Sequence, residues 1–284
     1  IPEIRAKTGL PLQGVSLDAA RKQARAAYGA AAEAFTIAEQ SVIRAEIETL
    51  QLMLQSRAPR YARMSWCFIK LTPNIEGGMS YTFGDCIILP DGVVARFVRL
   101  LSSGTAIERA SVDNILVHEQ THVLQRQDPA LFAEFYSSVL RFRHVERTPA
   151  PEWLDLRRVT DPDAPDDSWV FSVGKDAQQR WFLPEVLLTN LEHPQMPSDF
   201  QIVALAMFER RGIWGFADQS APSSFQSLED LDEYSRLFPL HDLMFHPNEI
   251  MAGLLAALIT GSGKLDPTHE LWDKTSAWAD KALR

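Results

Sequence analysis

Residues 115–124 read Ile115-Leu116-Val117-His118-Glu119-Gln120-Thr121-His122-Val123-Leu124. Two histidines stand four residues apart, a glutamate follows the first, and apolar residues flank the group. Nothing in the stretch breaks a helix, and on a helix positions i and i+4 share one face. His118 and His122 can therefore present both imidazoles to one point, with Glu119 one step round. The apolar flanks predict a buried helix. Buried polar groups are costly without partners, and a metal ion held by both imidazoles meets that need. The bland alternative is a helix whose polar face meets solvent or a hydrogen-bond network.

Working outward, the pattern predicts helices over about 93–103, 107–126 and 129–142. Upstream, 62–71 reads as a strand. Residues 79–89 read as one strand, or as two short ones kinked at Gly84-Asp85, and Asn74 to Gly78 as a turn. From Leu17 to Ala58 the chain is rich in Ala, Glu, Gln and Arg. Ile43, Ile47, Leu50 and Leu54 recur there at helical spacing. One long helix is expected, with any break near Gly29 and a stop at Pro59. Downstream, 145–167 is rich in proline and acid, and its run Asp161-Pro162-Asp163-Ala164-Pro165-Asp166-Asp167 reads as solvated surface loop. Trp169–Val173 and Arg180–Leu188 read as strands. Residues 200–209 fit strand or helix, 212–227 read as loop, and helices are expected at 228–237, 247–260 and 267–283.

The His-Glu-x-x-His segment resembles the active-site helix of the zincin zinc metallopeptidases. The close resemblance covers about ten residues and implies a class. In that class both histidines bind zinc and the glutamate is the general base, positions that His118, His122 and Glu119 match. The resemblance implies an α+β, predominantly helical domain with a small mixed sheet before this helix. On that basis 1–60 is an N-terminal long helix packed on the catalytic domain. Residues 61–284 form that domain, with an inserted segment at about 145–227. The proline-rich loop is then an excursion within one domain rather than a linker.

A catalytic zinc usually has three protein ligands and a water. Extending the motif gives His118-Glu-x-x-His122-x-x-Gln125-x-x-Asp128, which is similar to the metzincin pattern with Asp128 as third ligand. That pattern has glycine where Gln125 stands, because the chain must turn sharply there. The other reading takes a carboxylate from a later helix, as in gluzincins. His246-Pro247-Asn248-Glu249-Ile250 fits it: Pro247 suits a first helical position, and Glu249 falls in the first turn. The ordinary role for such an acid is to meet the helix dipole. Glu134, His144, Glu185 and His193 are weaker rivals.

The resemblance implies Zn2+ as cofactor, a peptide or protein as substrate, and peptide-bond hydrolysis by Glu-assisted attack of a zinc-bound water. It also implies an oxyanion stabiliser. His246 is the first choice, with His241, Tyr234 and Tyr81 behind it, and Ser80-Tyr81-Thr82 is the expected sheet edge for substrate backbone. Two other readings stay open. One is a zincin-like binding or regulatory protein without turnover. The other is a metal-independent interaction module built on the 17–58 helix.

The composition sets outer limits. With 28 Lys+Arg against 37 Asp+Glu the net charge is −9, a poor match to a phosphate backbone, so nucleic acid is not an expected partner. No apolar run reaches the roughly 18–20 residues of a membrane span, so no integral membrane segment is expected. Cys67 and Cys86 are either two buried thiols or one cross-strand disulfide, and without a Cys-x-x-Cys thioredoxin chemistry is excluded. The start at Ile1 would mean export to a periplasm or the outside if a signal peptide had been removed. Oligomeric state is open.

Overall fold

Reciprocal capping boxes set the starts of the two longest helices. Thr36 accepts from the Glu39 N–H while the Glu39 carboxylate takes the Thr36 N–H, and Thr105 and Glu108 repeat the arrangement. The computed structural model describes residues 1–72, 75–238, 245–262 and 269–284. In chain order the elements begin with α1 (Pro2–Thr8), α2 (Leu17–Ala31), β1 (Ala32–Glu33), α3 (Ile37–Arg57) and α4 (Pro59–Ala62). Next come β2 (Phe68–Leu71), β3 (Tyr81–Phe83), β4 (Cys86–Pro90), α5 (Asp91–Ser103), α6 (Ala106–Gln127) and α7 (Pro129–Ser138). A five-strand run follows: β5 (Phe142–His144), then α8 (Glu152–Arg157), β6 (Trp169–Val173), β7 (Arg180–Leu188), β8 (Phe200–Arg210) and β9 (Ile213–Phe216). Helices α9 (Asp232–Leu237), α10 (Pro247–Thr260) and α11 (Glu270–Ala282) complete the chain.

These elements form two compact units, Ile1–Tyr28 with Ala133–Ile250, and Gly29–Phe132 with Met251–Arg284. The chain passes between them at three points, inside α2, α7 and α10.

The second unit holds the expected small mixed sheet, in the order β1-β2-β4-β3. β2 and β4 run parallel, and the other neighbours run antiparallel. Gly84, at φ 59, takes the first place of the two-residue β3–β4 turn, a position primed hairpin turns reserve for glycine. Cys67, just before β2, and Cys86, the first residue of β4, have Cα atoms 4.4 Å apart and are joined as a disulfide, so the free-thiol reading does not hold. Lys70, buried on β2, gathers Glu39 of α3 at 3.0 Å and Asp91 of α5 at 2.6 Å. At the far end of the chain Leu283 is fully buried, and its carbonyl accepts the Arg60 N–H.

The first unit is built on the antiparallel meander β5-β6-β7-β8-β9. Its two faces are both covered. Val170, Leu183, Val203 and Trp214 form one core with Leu154 of α8. Phe142 and Phe171 turn the other way, onto Tyr234 of α9 and Phe238. That double burial explains why β7 is nearly continuous apolar sequence rather than alternating.

Several expectations need correction. The 17–58 helix is two helices, and the break falls at residues 32–36 rather than at Gly29. There Ala32 and Glu33 pair with Leu71 and Lys70 of β2, and Thr36 restarts the helix. Residues 62–67 are not strand, because α4 occupies their start and β2 begins only at Phe68. The 129–142 helix stops at Ser138, since Phe142 is needed opposite Phe171. Residues 213–216, read as loop, are a strand: Arg211 and Gly212 at positive φ close a tight turn that folds β9 back on β8. Of the Asn74–Gly78 turn, Asn74 lies outside the described residues and 76–78 form one 3-10 turn. No helix among the described residues is long and apolar enough to cross a membrane.

The disulfide closes a loop of sequence separation 19 within the mixed sheet. Replacing both cysteines with alanine is expected to cost about 3 kcal/mol on chain-entropy grounds. Thermal unfolding with and without reductant reads this as a Tm fall of several degrees, and an unmoved Tm would show the sheet to be indifferent to the bridge.

Candidate metal centre

The residues of the motif lie in the second half of α6, which buries Glu119, Gln120, Thr121, His122 and Gln125 among apolar neighbours. Each described partner there has a physical reason. Gln120 donates to the Ser65 carbonyl at 3.1 Å. Thr121 donates to the Val117 carbonyl one turn back and receives the Tyr61 hydroxyl, both at 2.7 Å. His122 is 2% exposed, and its Nδ1 lies 2.9 Å from Gln125 Oε1. Its Nε2 faces His118 Nε2 at 3.0 Å, with the ring planes at 75°. His118 is half-buried. Glu119 is 5% exposed.

The C-terminal end of α6 is tied to the sheet. Arg126 donates to the Gly84 carbonyl at 2.7 Å and to Thr82 Oγ1 at 2.9 Å, and Gln127 reaches Asp85 at 3.0 Å. These bonds fix β3, the outer strand of the mixed sheet, to the helix that carries the histidines.

Glu249 is buried in the first turn of α10. His118 and His122 belong to the second unit and Glu249 to the first. Two imidazole nitrogens and one carboxylate oxygen are a donor set for catalytic zinc. Tetrahedral bonds of about 2.0–2.1 Å separate such donors by roughly 3.4 Å. The 3.0 Å between the two Nε2 atoms is close to that spacing, so the two imidazoles fit a zinc ion. A second set, Asp161, Asp163 and Glu249, lies within the first unit, with ligand atoms within 4.8 Å of one another. Sequence reasoning passed over these two aspartates as solvated loop, but Asp163 is buried. The rest of the acidic run is also engaged, Asp166 with His144 and Asp167 with Arg147 and Arg158.

The remaining sequence candidates have the following surroundings. Asp128 caps the C-terminus of α6, and Arg60 holds its carboxylate at 2.6 Å. His246 is buried at the start of α10, where Nδ1 accepts the Asn248 N–H at 3.1 Å and Nε2 donates to the Asp166 carbonyl at 2.8 Å. Tyr234 lies in the aromatic cluster with Phe142, Phe171 and Phe238. Tyr81 is buried on β3, and His241 falls outside the described residues. Glu134 and His193 are exposed, and His144 pairs with Asp166. Glu185 is buried in β7, where desolvation pushes its carboxyl up to about 7 despite Arg158 at 3.8 Å.

One polar group on α6 that the sequence did not flag is Asp113. It shares a hydrogen bond with buried Glu46 of α3, with Arg109 beside both. Two carboxyl oxygens can share that bond only through a proton. Burial first, and then the Glu46 charge, pushes Asp113 up to about 7 from its ordinary 3.8.

Comparison with family models, with curated proteins and with solved structures returned no match for this chain.

The Asp113 shift has a sign in stability. Between about pH 4 and pH 7 the unfolded carboxyl has lost its proton while the folded one keeps it, so this contribution declines as pH rises and levels off above 7. Asp113→Asn supplies a neutral donor to Glu46. The variant is expected to have a higher Tm than the parent at pH 8 and no advantage near pH 4, as thermal unfolding across that range checks. An equal offset at both pH values would exclude a protonated Asp113.

Proposed function

We propose that the chain is a zinc-dependent metallopeptidase, with zinc held by His118, His122 and Glu249. The observation that carries this reading is the approach of the His118 and His122 Nε2 atoms to 3.0 Å on α6, with buried Glu119 adjacent to His118 in sequence. A bound zinc would supply Lewis-acid polarisation of the scissile carbonyl and a water of lowered pKa. Glu119 accepts the proton of the attacking water on its carboxylate and delivers it to the leaving amine nitrogen. The outer strand β3, anchored to α6 through Arg126, is the strand along which an extended substrate backbone lies. His246 serves in this reading as a positioning group. Its two ring nitrogens tie the start of α10 to the Asp166 loop and so hold Glu249 in register.

These measurements test the assignment. The purified chain should bind one zinc, and a broad peptide library should be cleaved in a chelator-sensitive way. Glu119→Gln should keep the metal and lose at least 100-fold in turnover, since the ligands remain and the base is gone. Glu249→Ala should weaken zinc binding sharply while a fold control stays unchanged, and undiminished affinity would move the third ligand elsewhere. Stoichiometric zinc with no cleavage of any library member would leave a metal-binding scaffold without turnover.

A further inference from the structure

We infer that Gln125 is a positioning residue for His122. Its side-chain carbonyl fixes which ring nitrogen of His122 carries the proton and which is offered as ligand. The inference rests on the zinc reading of His118 and His122 but concerns a residue that reading does not use.

The geometry is local and lies within one helix. Gln125 is three residues after His122, so the two side chains are neighbours on one face of α6. Gln125 is 5% exposed, and its Oε1 lies 2.9 Å from His122 Nδ1. A carbonyl oxygen can only accept, so Nδ1 must carry the hydrogen. The lone pair of the neutral ring is then on Nε2, which points at His118 Nε2, 3.0 Å away. Without the amide the ring could turn about its χ2 torsion or move its proton to Nε2, and either change withdraws the ligand atom. Metal-binding histidines commonly have such a partner on the second nitrogen, and its loss typically costs 10–100-fold in affinity or activity.

The chemistry of the partner also matters. Gln125 is neutral, whereas a carboxylate would make the imidazole a stronger donor. The position is occupied by glycine in the metzincin pattern, where its job is to let the chain turn. Here α6 continues past Gln125 to Gln127. The residue is thus free to act through its side chain, and its burial beside His122 follows from that.

Two substitutions and two readouts test this. Gln125→Met keeps the length and removes the acceptor. Gln125→Glu keeps the shape and adds charge. In the metal-free protein, the 15N shifts of His122 should report a proton on Nδ1 in the parent and in Gln125→Glu, and its loss from that nitrogen in Gln125→Met. For zinc alone, competition with a chromophoric chelator should show Gln125→Met weakened 10–100-fold. Gln125→Glu should bind at least as tightly as the parent. The visible spectrum of the cobalt-loaded protein should change in Gln125→Met and persist in Gln125→Glu. A purely structural role would weaken both variants alike and leave the ring tautomer unmoved, and that result overturns the inference. If the parent takes up no zinc while the tautomer follows Gln125 as described, the zinc reading fails and the positioning role stands. If Gln125→Met does not fold, a folded Gln125→Glu with weaker zinc binding than the parent overturns it.

Discussion

The burial of five consecutive-turn polar residues on α6 is the constraint to which its surroundings answer. A helix that places Glu119, Gln120, Thr121, His122 and Gln125 in a core has to find each a partner, because an unmet buried polar group costs about 1–3 kcal/mol. Some of those partners are on α6 itself, as with Thr121 on the Val117 carbonyl and Gln125 on His122. Others set the course of the chain before β2. Tyr61 must be at the end of α4 to reach Thr121, and Ser65 must turn its carbonyl to Gln120. The short, irregular passage between Pro59 and Phe68 is therefore shaped by the hydrogen-bonding needs of helix residues 55 and 60 positions later.

The same logic explains how the histidine pair is held. A lone i, i+4 pair has ample rotamer freedom. Here one ring is nearly inaccessible and bonded at one nitrogen, so only the other nitrogen faces its neighbour. The far end of the helix is then fixed by Arg126 and Gln127 to the β3–β4 hairpin, which the disulfide in turn ties to β2. Cap, pair, anchor and bridge all fall within one unit.

How much of this could be read from sequence depended on whether the deciding interaction was local. The helix at 106–127 was legible because apolar flanks, spacing and the absence of breakers are all local signals. So were β6 and β7, and α10 with its opening proline. The break at 32–36 was not, although Thr36 and Glu39 spell a capping box. Alanine-rich sequence supports helix on both sides, and what interrupts it is pairing with Leu71 and Lys70, nearly 40 residues away. β8 was ambiguous for a similar reason, since strand and helix fit its apolar run and only its neighbours β7 and β9 decide. At the site, the histidines, Glu119 and Glu249 could be named from motif and helix position. Asp161 and Asp163 could not, because a run of acids with prolines has the composition of solvated loop whether or not one of its members is buried. Gln125 was visible only as a departure from a pattern, and its contact with His122 required coordinates.

The threading of the chain bears on how it is made. Each unit is assembled from two stretches separated by more than 100 residues of the other. On a ribosome the first helices of one unit must wait for Ala133–Ile250, and the sheet and α6 of the other must wait for α10 and α11. Arg60 finds its backbone partner only when Leu283 has emerged. A nascent chain that has not reached Leu283 therefore lacks a backbone tie of α4 that the folded unit contains.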